Sequence, residues 1–284
     1  MKQYRAELTG VFGDPVDDNP TGVLTEAGFA AKNLNYRYLT LKVLPKDLET
    51  AMRSVRAFNM KGINLTMPHK IAVIPMLDEL SQAASIIGAV NTVIHKDGKL
   101  YGENTDGKGF VLALKDDGVS VDGKTITIVG SGGAARAIAV EAALAGAKKI
   151  NIINRTAEKG MALCALLRDK TPCESEFIPW TDGIAVPDGT DILINGTPLG
   201  LKPDDQLFPD IDYDTILPGM HACDVVFNPA QTIFLTKAAE KGAVTHSGLG
   251  MLVRQGALNF TLWTGVEAPL EVMTKALEAE FAED

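Results

Sequence analysis

Three cysteines in 284 residues, Cys164, Cys173 and Cys223, are too few and too scattered for a disulfide framework, and they lack the paired spacing of a zinc site. A reducing cytosol is the expected setting. Histidine is nearly as scarce: His69, His95, His221 and His246 form no HExxH or other close pairing of ligands, so no metal is expected. No apolar run of signal-peptide length precedes Gly10, and no later stretch approaches an uncharged membrane span, which predicts a soluble, cytoplasmic protein with no membrane partner. Aromatics make up 6% of the chain and no dense Lys/Arg run offsets the formal charge of -9, which argues against a nucleic-acid surface. Any anionic ligand must be met by local donors.

What is present is apolar content, 46%, ample for a core in each of two domains, the natural division of a chain this long. Over the first hundred residues, apolar runs at Leu8 to Phe12, Tyr36 to Val43 and Gly62 to Leu65 alternate with a helical periodicity at Leu48 to Phe58, predicting a parallel-leaning sheet. Val90 to His95 and Leu100 to Gly102 flank a turn in which Asp97-Gly98 supplies the positive backbone angles of a tight hairpin. After the Gly- and Asp-rich stretch Asp116 to Lys124, the β-branched run Thr125 to Val129 reads as a strand buried on both faces. Helix (Ala134 to Ala145, closed by Gly146), strand (Lys149 to Ile153), helix (Ala157 to Arg168) and strands at Asp191 to Ile194 and Ala222 to Phe227 follow, the succession of a doubly wound sheet. Met251 to Trp263 and Leu270 to Phe281 read as helices that pack back on the first domain.

Gly130-Ser131-Gly132-Gly133-Ala134-Ala135 follows a predicted strand and opens a predicted helix, the context that G-x-G-x-x-G/A requires. Glycines there permit a tight turn and let a pyrophosphate approach backbone N–H groups at a helix N-terminus. At the end of the next strand, where an Asp or Glu would hydrogen-bond the ribose 2′-OH of NAD, stand Asn154-Arg155-Thr156. A guanidinium and a hydroxyl suit a 2′-phosphate, so NADP is favoured and NAD stays open.

Gly62 to Lys70, GINLTMPHK, sets a lysine among amide and hydroxyl groups just after a strand. Ile63 and Leu65 alternate with Asn64 and Thr66, so the two polar side chains share one face, and Pro68 suits the first turn of a following helix. An amine so placed can donate a proton to a substrate oxygen. Taken singly, each feature also fits a bland role: Lys70 a surface lysine, Asp106 a helix cap, Asn64 and Asn91 ties to loop backbone, Gln255 a solvated helix face. His69 is expected as a surface or supporting residue, and the other three histidines as structural.

In chain order, GINLTMPHK (62–70), GAVNT (88–92), NTDG (104–107), GSGGAAR (130–136), NRT (154–156) and GLGMLVRQGALNFTLWTG (248–265) closely resemble the shikimate dehydrogenases and their quinate-using relatives, over nearly the whole chain. The resemblance implies an α/β fold: a substrate-binding domain over 1–107 completed by 249–284, and a Rossmann-type doubly wound NADP-binding domain over 108–248, with a cleft between them. It implies NADPH-dependent, reversible reduction of 3-dehydroshikimate to shikimate on the way to aromatic amino acids, by a monomer or homodimer. Quinate or a related hydroxylated cyclic acid is the alternative substrate, with NAD or NADP. By position, Lys70 falls on the family's catalytic lysine and Asp106 on its paired aspartate, while Asn64, Thr66, Asn91 and Gln255 fall on residues that grip ring hydroxyls. The cofactor side takes Gly130, Ser131, Gly132, Gly133, Ala134, Asn154, Arg155, Thr156, Thr197 and Gly248. Hydride addition to a ketone develops negative charge on oxygen, which an ammonium stabilises and then neutralises. A neighbouring carboxylate favours the charged amine, so Asp106 is expected to orient Lys70 and relay protons.

The departures bear on substrate. Where many relatives have Ser-x-Ser and then proline to hold the substrate carboxylate, this chain has Asn19-Pro20-Thr21 and then Gly22. Asn19 and Thr21 can still donate hydrogen bonds, but Asn is larger than Ser, and Asp17 and Asp18 add charge that repels an anion. Phe227 stands where the family often has tyrosine, and Lys159 replaces a frequent second arginine of NRTxxR, weakening the preference for a 2′-phosphate. A reading of another class, a dinucleotide-binding sensor without turnover, is opposed by the presence of both Lys70 and Asp106, neither of which a binder needs.

Overall fold

An alternation of strand and helix runs through residues 4–282, which the computed structural model describes. Contacts divide the chain into two units, Met1–Thr105 with Val253–Asp284, and Asp106–Leu252. Residues 1–3 and 283–284 of the first expected domain lie outside the described residues.

The first unit runs β1 (Glu7–Gly13), α1 (Thr21–Ala31), β2 (Tyr36–Lys42), α2 (Leu48–Ala57), β3 (Gly62–Leu65), α3 (His69–Ala72), β4 (Glu79–Leu80), α4 (Gln82–Ile87), β5 (Thr92–Lys96) and β6 (Lys99–Glu103). Its sheet has the order β2-β1-β3-β5-β6-β4. β1 is parallel to β2 and β3, whereas β5 is antiparallel to both β3 and β6. The expected parallel character therefore holds for one half of the sheet. In the other half the two-residue Asp97-Gly98 turn, with φ of 53° and 77°, returns the chain directly alongside itself. Ile63 and Leu65 of β3 join Leu48, Met52 and Val55 of α2 in one buried cluster.

Helix α5 (Thr105–Asp116) leads into the second unit: β7 (Thr125–Val129), α6 (Gly133–Leu144), β8 (Lys149–Asn154), α7 (Ala157–Lys170), β9 (Glu174–Pro179), β10 (Ile184–Ala185), β11 (Ile192–Asn195), β12 (Ile211–Asp212), β13 (His221–Asp224), α8 (Ile233–Glu240) and β14 (Val244–His246). Its main sheet, ordered β14-β13-β11-β7-β8-β9, is parallel throughout. The chain starts at β7, moves out through β8 and β9, and returns to the other side of β7 at β11. That reversal is a topological switch point, and it opens a crevice beyond the carboxyl ends of β7 and β11. β13 ends at Asp224, earlier than the expected Phe227, because the Asp224 carboxylate accepts the Val226 N–H at 2.9 Å and turns the chain out of the ladder.

Helix α9 (Gly248–Thr264) returns the chain to the first unit, and α10 (Leu270–Ala282) ends the described residues. There Phe29 of α1 stacks 5.4 Å from Phe260 of α9. Gly28 allows this approach, since a Cβ on it would lie 3.2 Å from the Phe260 ring and 3.3 Å from Met273 Sδ of α10.

Candidate active site

In the second unit, the turn from β7 to α6 sits at the switch point. Gly130 has φ +106°, which a side chain would strain, and a Cβ on it would also press on Thr197 Cγ2 at 3.0 Å and Gly196 O at 3.1 Å. Gly132 is the N-cap of α6 and makes no side-chain cap bond, while Cβ atoms on Gly132 and Gly133 would meet nothing within 4 Å. The first turn of α6 thus borders open space, and Ser131 and Ala134 are half-buried there. An anion fits there. Thr197 is fixed from below, its N–H and Oγ1 both donating to Asn195 Oδ1 at 3.1 and 2.6 Å.

At the end of β8, Asn154 Nδ2 donates to Thr156 O at 2.9 Å, and Arg155 and Thr156 are exposed. The Arg155 guanidinium lies over the Trp180 ring, 4.7 Å from its centroid. β8 and β9 pair up to Asn154 and Pro179, so Arg155 and Trp180 leave adjacent strand ends together. Gly248 is buried at the first residue of α9, where a Cβ would lie 2.5 Å from Val226 O. These donors and the open glycine turn suit a dinucleotide with a 2′-phosphate.

In the first unit, a buried network of amides and hydroxyls spans the sheet. Asn64 Nδ2 donates to Asn91 O at 3.1 Å and to Thr92 Oγ1 at 3.0 Å, and Asn64 Oδ1 accepts from Tyr38 OH at 2.9 Å. Asn91 Nδ2 donates to Thr105 Oγ1 at 3.0 Å and to Gln255 Oε1 at 3.3 Å, while its Oδ1 accepts the Thr105 N–H at 2.8 Å. Asn259, one helical turn beyond Gln255, accepts from the Thr92 and Thr105 hydroxyls at 2.8 and 3.0 Å. Asn64, Asn91 and Gln255 are thereby joined. Asn19 and Thr21 form a second group, Asn19 Oδ1 accepting the Thr21 N–H at 3.1 Å. The Thr21 hydroxyl sits beside the Tyr38 phenol, whose pKa burial pushes well up while the Thr21 hydrogen bond pulls the other way. Thr66 follows β3 half-buried, its methyl filling the space that a side chain at Gly13 would need.

Lys70 stands half-buried in α3, with its carbonyl accepting the Val90 N–H at 2.8 Å. Asp106, 8% exposed, lies in the first turn of α5 and begins the second unit. His69 is buried, not on the surface: at 1% exposure its Nε2 lies 2.7 Å from Val43 O and ties α3 to the segment after β2. His221 and His246 face each other at 3.0 Å, and His246 reaches Asp117 at 2.7 Å.

Sequence reading misses Tyr38, Thr92, Thr105, Asn259 and Trp180. Thr92 and Thr105 sit inside the quoted motifs, and Asn259 follows Gln255 at the spacing of one helix face, so a signal was there. Tyr38 and Trp180 carry none, because their partners come from strands distant in sequence.

A glycine turn at the switch point of a parallel sheet, together with a lysine-bearing unit lined by amides and hydroxyls, defines a dinucleotide-dependent oxidoreductase of small hydroxylated molecules. Family models match in series: the shikimate dehydrogenase substrate binding domain over residues 11–93, shikimate / quinate 5-dehydrogenase over 112–197, and the shikimate 5'-dehydrogenase C-terminal domain over 248–278. The shikimate dehydrogenase (NADP(+)) of Desulforamulus reducens is 40% identical, covering 98% of this chain and 97% of its own. The chain belongs to the shikimate dehydrogenase family. Among solved structures, the ligand-free 5-ketofructose reductase of Gluconobacter sp. strain CHM43 superposes with a TM-score of 0.95 at 43% identity, covering 98% of this chain and all of that one. Shikimate 5-dehydrogenase from Listeria monocytogenes, solved with shikimate and NAD, gives 0.91 at 35% identity over 97% of each chain.

Among the described residues no helix is long and apolar enough to cross a membrane, and no group of three or more His, Cys, Asp or Glu could hold a metal ion.

Proposed function

We propose that this chain is an NADP-dependent shikimate dehydrogenase, interconverting 3-dehydroshikimate and shikimate. The observation that carries this reading is the relationship at 40% identity over nearly the full chain to enzymes of that name. The buried Asn64–Asn91–Gln255 network in the first unit supports it.

NADPH supplies a hydride for the ketone carbon. Lys70 is the proton donor to the carbonyl oxygen, and its ammonium stabilises the charge that develops there. Asp106 is the carboxylate that this reading pairs with the amine. Asn64, Thr66, Asn91 and Gln255 hold ring hydroxyls, and Asn19 and Thr21 face the substituent opposite the reacting carbon. Gly130, Ser131, Gly132, Gly133 and Ala134 receive the pyrophosphate. Asn154, Arg155 and Thr156 receive the 2′-phosphate, and Thr197 and Gly248 complete the cofactor side.

The test is oxidation of NADPH by purified protein with 3-dehydroshikimate, run beside shikimate and quinate with each oxidised cofactor. Turnover of quinate with NAD alone would move the chain to the quinate-using relatives. Tight NADPH binding with no oxidation by any ketone would make it a sensor. A second substrate, 5-ketofructose, is favoured by a specific observation, the 0.95 superposition on a reductase named for that sugar.

A further inference from the structure

The charge of the group accepted opposite the reacting carbon can be read from a chain of hydrogen bonds whose direction is fixed from one end. Asn64 spends both amide hydrogens, on Asn91 O at 3.1 Å and Thr92 Oγ1 at 3.0 Å. Its Oδ1 is then an acceptor, so Tyr38, 2.9 Å away, donates to it. A phenol has one proton. Tyr38 is 8% exposed and stays neutral, so towards Thr21 its oxygen can only accept, and Thr21 must donate. Thr21 Oγ1 is left with lone pairs alone for any third group.

Asn19 is committed at the other end. Its Oδ1 takes the Thr21 N–H at 3.1 Å, which leaves its amide hydrogens as donors. The surrounding stretch from Gly13 to Leu24 holds Asp14, Asp17 and Asp18 and no basic residue. Lys42, paired in register with Gly13, has its ammonium 3.4 Å from the Asp14 carboxylate. A carboxylate accepts hydrogen bonds and cannot donate them, so it would set its lone pairs against those of Thr21, within a negative field. A hydroxyl accepts from Asn19 and donates to Thr21.

We propose that Asn19 and Thr21, polarised through Tyr38 and Asn64, form a subsite for an uncharged hydroxyl, so that the chain reduces uncharged polyhydroxy ketones as well as a ring acid. The inference rests on the proposed reading of Lys70 and NADPH as the reducing site. The ketone carbon gains a hydride from NADPH, the carbonyl π pair moves to oxygen, and that oxygen takes a proton from Lys70 Nζ. A secondary alcohol and NADP+ result, and solvent returns the proton to Lys70. Asn19 and Thr21 set specificity; Tyr38 is a positioning residue that acts through Thr21.

The test is steady-state kinetics of the full-length protein with NADPH, comparing 5-ketofructose as the uncharged probe with 3-dehydroshikimate as the acid. Wild type should reduce the sugar with a kcat/KM within about tenfold of that for the acid, or above it. Tyr38→Phe frees the Thr21 proton for donation, so KM for the acid should fall while KM for the sugar holds or rises; a merely structural loss would raise both. Replacing Asn19 and Thr21 together by serine should shift the preference towards the acid by about tenfold or more. Preference of wild type for the acid by more than about tenfold, or equal effects of Tyr38→Phe on both substrates, would overturn the proposal. Turnover of the acid alone would leave the underlying reading standing. If neither ketone oxidised NADPH, both would fall.

Discussion

Lys70 owes its place to its neighbours. His69 is locked to Val43 O, and Val90 donates to the Lys70 carbonyl, so the backbone that carries the amine is tied to two segments of the first unit. On the proposed reading of Lys70 as proton donor, a group so held acts in the transition state more than in binding. Lys70→Ala should lower kcat by about a hundredfold to ten-thousandfold and leave KM within about threefold, measured by steady-state NADPH oxidation. Equal changes in both would assign the lysine to binding. A second residue works through its charge within the fold. Asp224 is 1% exposed, and burial pushes its carboxyl up to about 6 from 3.8, against hydrogen bonds from the Val226 N–H, Thr232 and Asn195 that pull it down. A folded-state value above the unfolded one means that the folded chain binds this proton more tightly. Ionisation above pH 6 therefore costs stability, about 3 kcal/mol, and that cost is relieved as pH falls from 6 towards 4. Compared with Asp224→Asn, wild type should gain stability over that window, read by native-state hydrogen exchange at the β13 amides. A flat difference would mean that the hydrogen bonds offset burial completely.

Among the elements, β8 and β9 carry the residues proposed to select the cofactor. Their paired ends release Arg155 and Trp180 side by side, and the guanidinium lies over the indole face. Arg155→Ser should lower kcat/KM for NADPH by about ten- to a hundredfold and change that for NADH by less than about threefold. Trp180→Ala, which keeps the charge but not the platform, should cost NADPH only part of that loss. The same two strands mark what could be read in advance. β7 and β8 are legible because a buried parallel strand is a continuous β-branched run, and β3 because Ile63 and Leu65 alternate with Asn64 across its pleat. β9 is not legible, since its exposed glutamates 174 and 176 break the apolar signal of a sheet-edge strand. Nor does 21–31 announce α1: Gly22 and Gly28 weaken helix propensity, and the helix is held by its packing on Phe260 and Met273, far along the chain. The site divides the same way. Asn64, Asn91 and Gln255 lie in motifs, but Tyr38 enters only through the register of β2 with β1.

At the scale of the whole chain, two units with separate cores and a different proposed ligand for each make a thermodynamic prediction that neither element nor residue can. The chain passes between the units at Thr105–Asp106 in α5 and at Leu252–Val253 in α9, so the first unit is assembled from segments nearly 150 residues apart while the second is continuous. A ligand stabilises the state that binds it, by about 2.7 kcal/mol at a hundred times its Kd, and slows opening of the bound region about a hundredfold. NADP+ should therefore slow hydrogen exchange first at Gly130 to Arg136 and at Asn154 to Thr156, while leaving Gly62 to Thr66 near its unliganded rate. Shikimate, or the uncharged sugar alcohol formed from 5-ketofructose, should do the reverse, protecting β3 and the first turn of α1. If NADP+ protected β3 ahead of the glycine turn, the assignment of cofactor and substrate to the two units would be inverted. If the sugar alcohol protected the first turn of α1 more than shikimate does at equal saturation, the contacts at Thr21 would favour a hydroxyl over a carboxylate independently of any rate measurement.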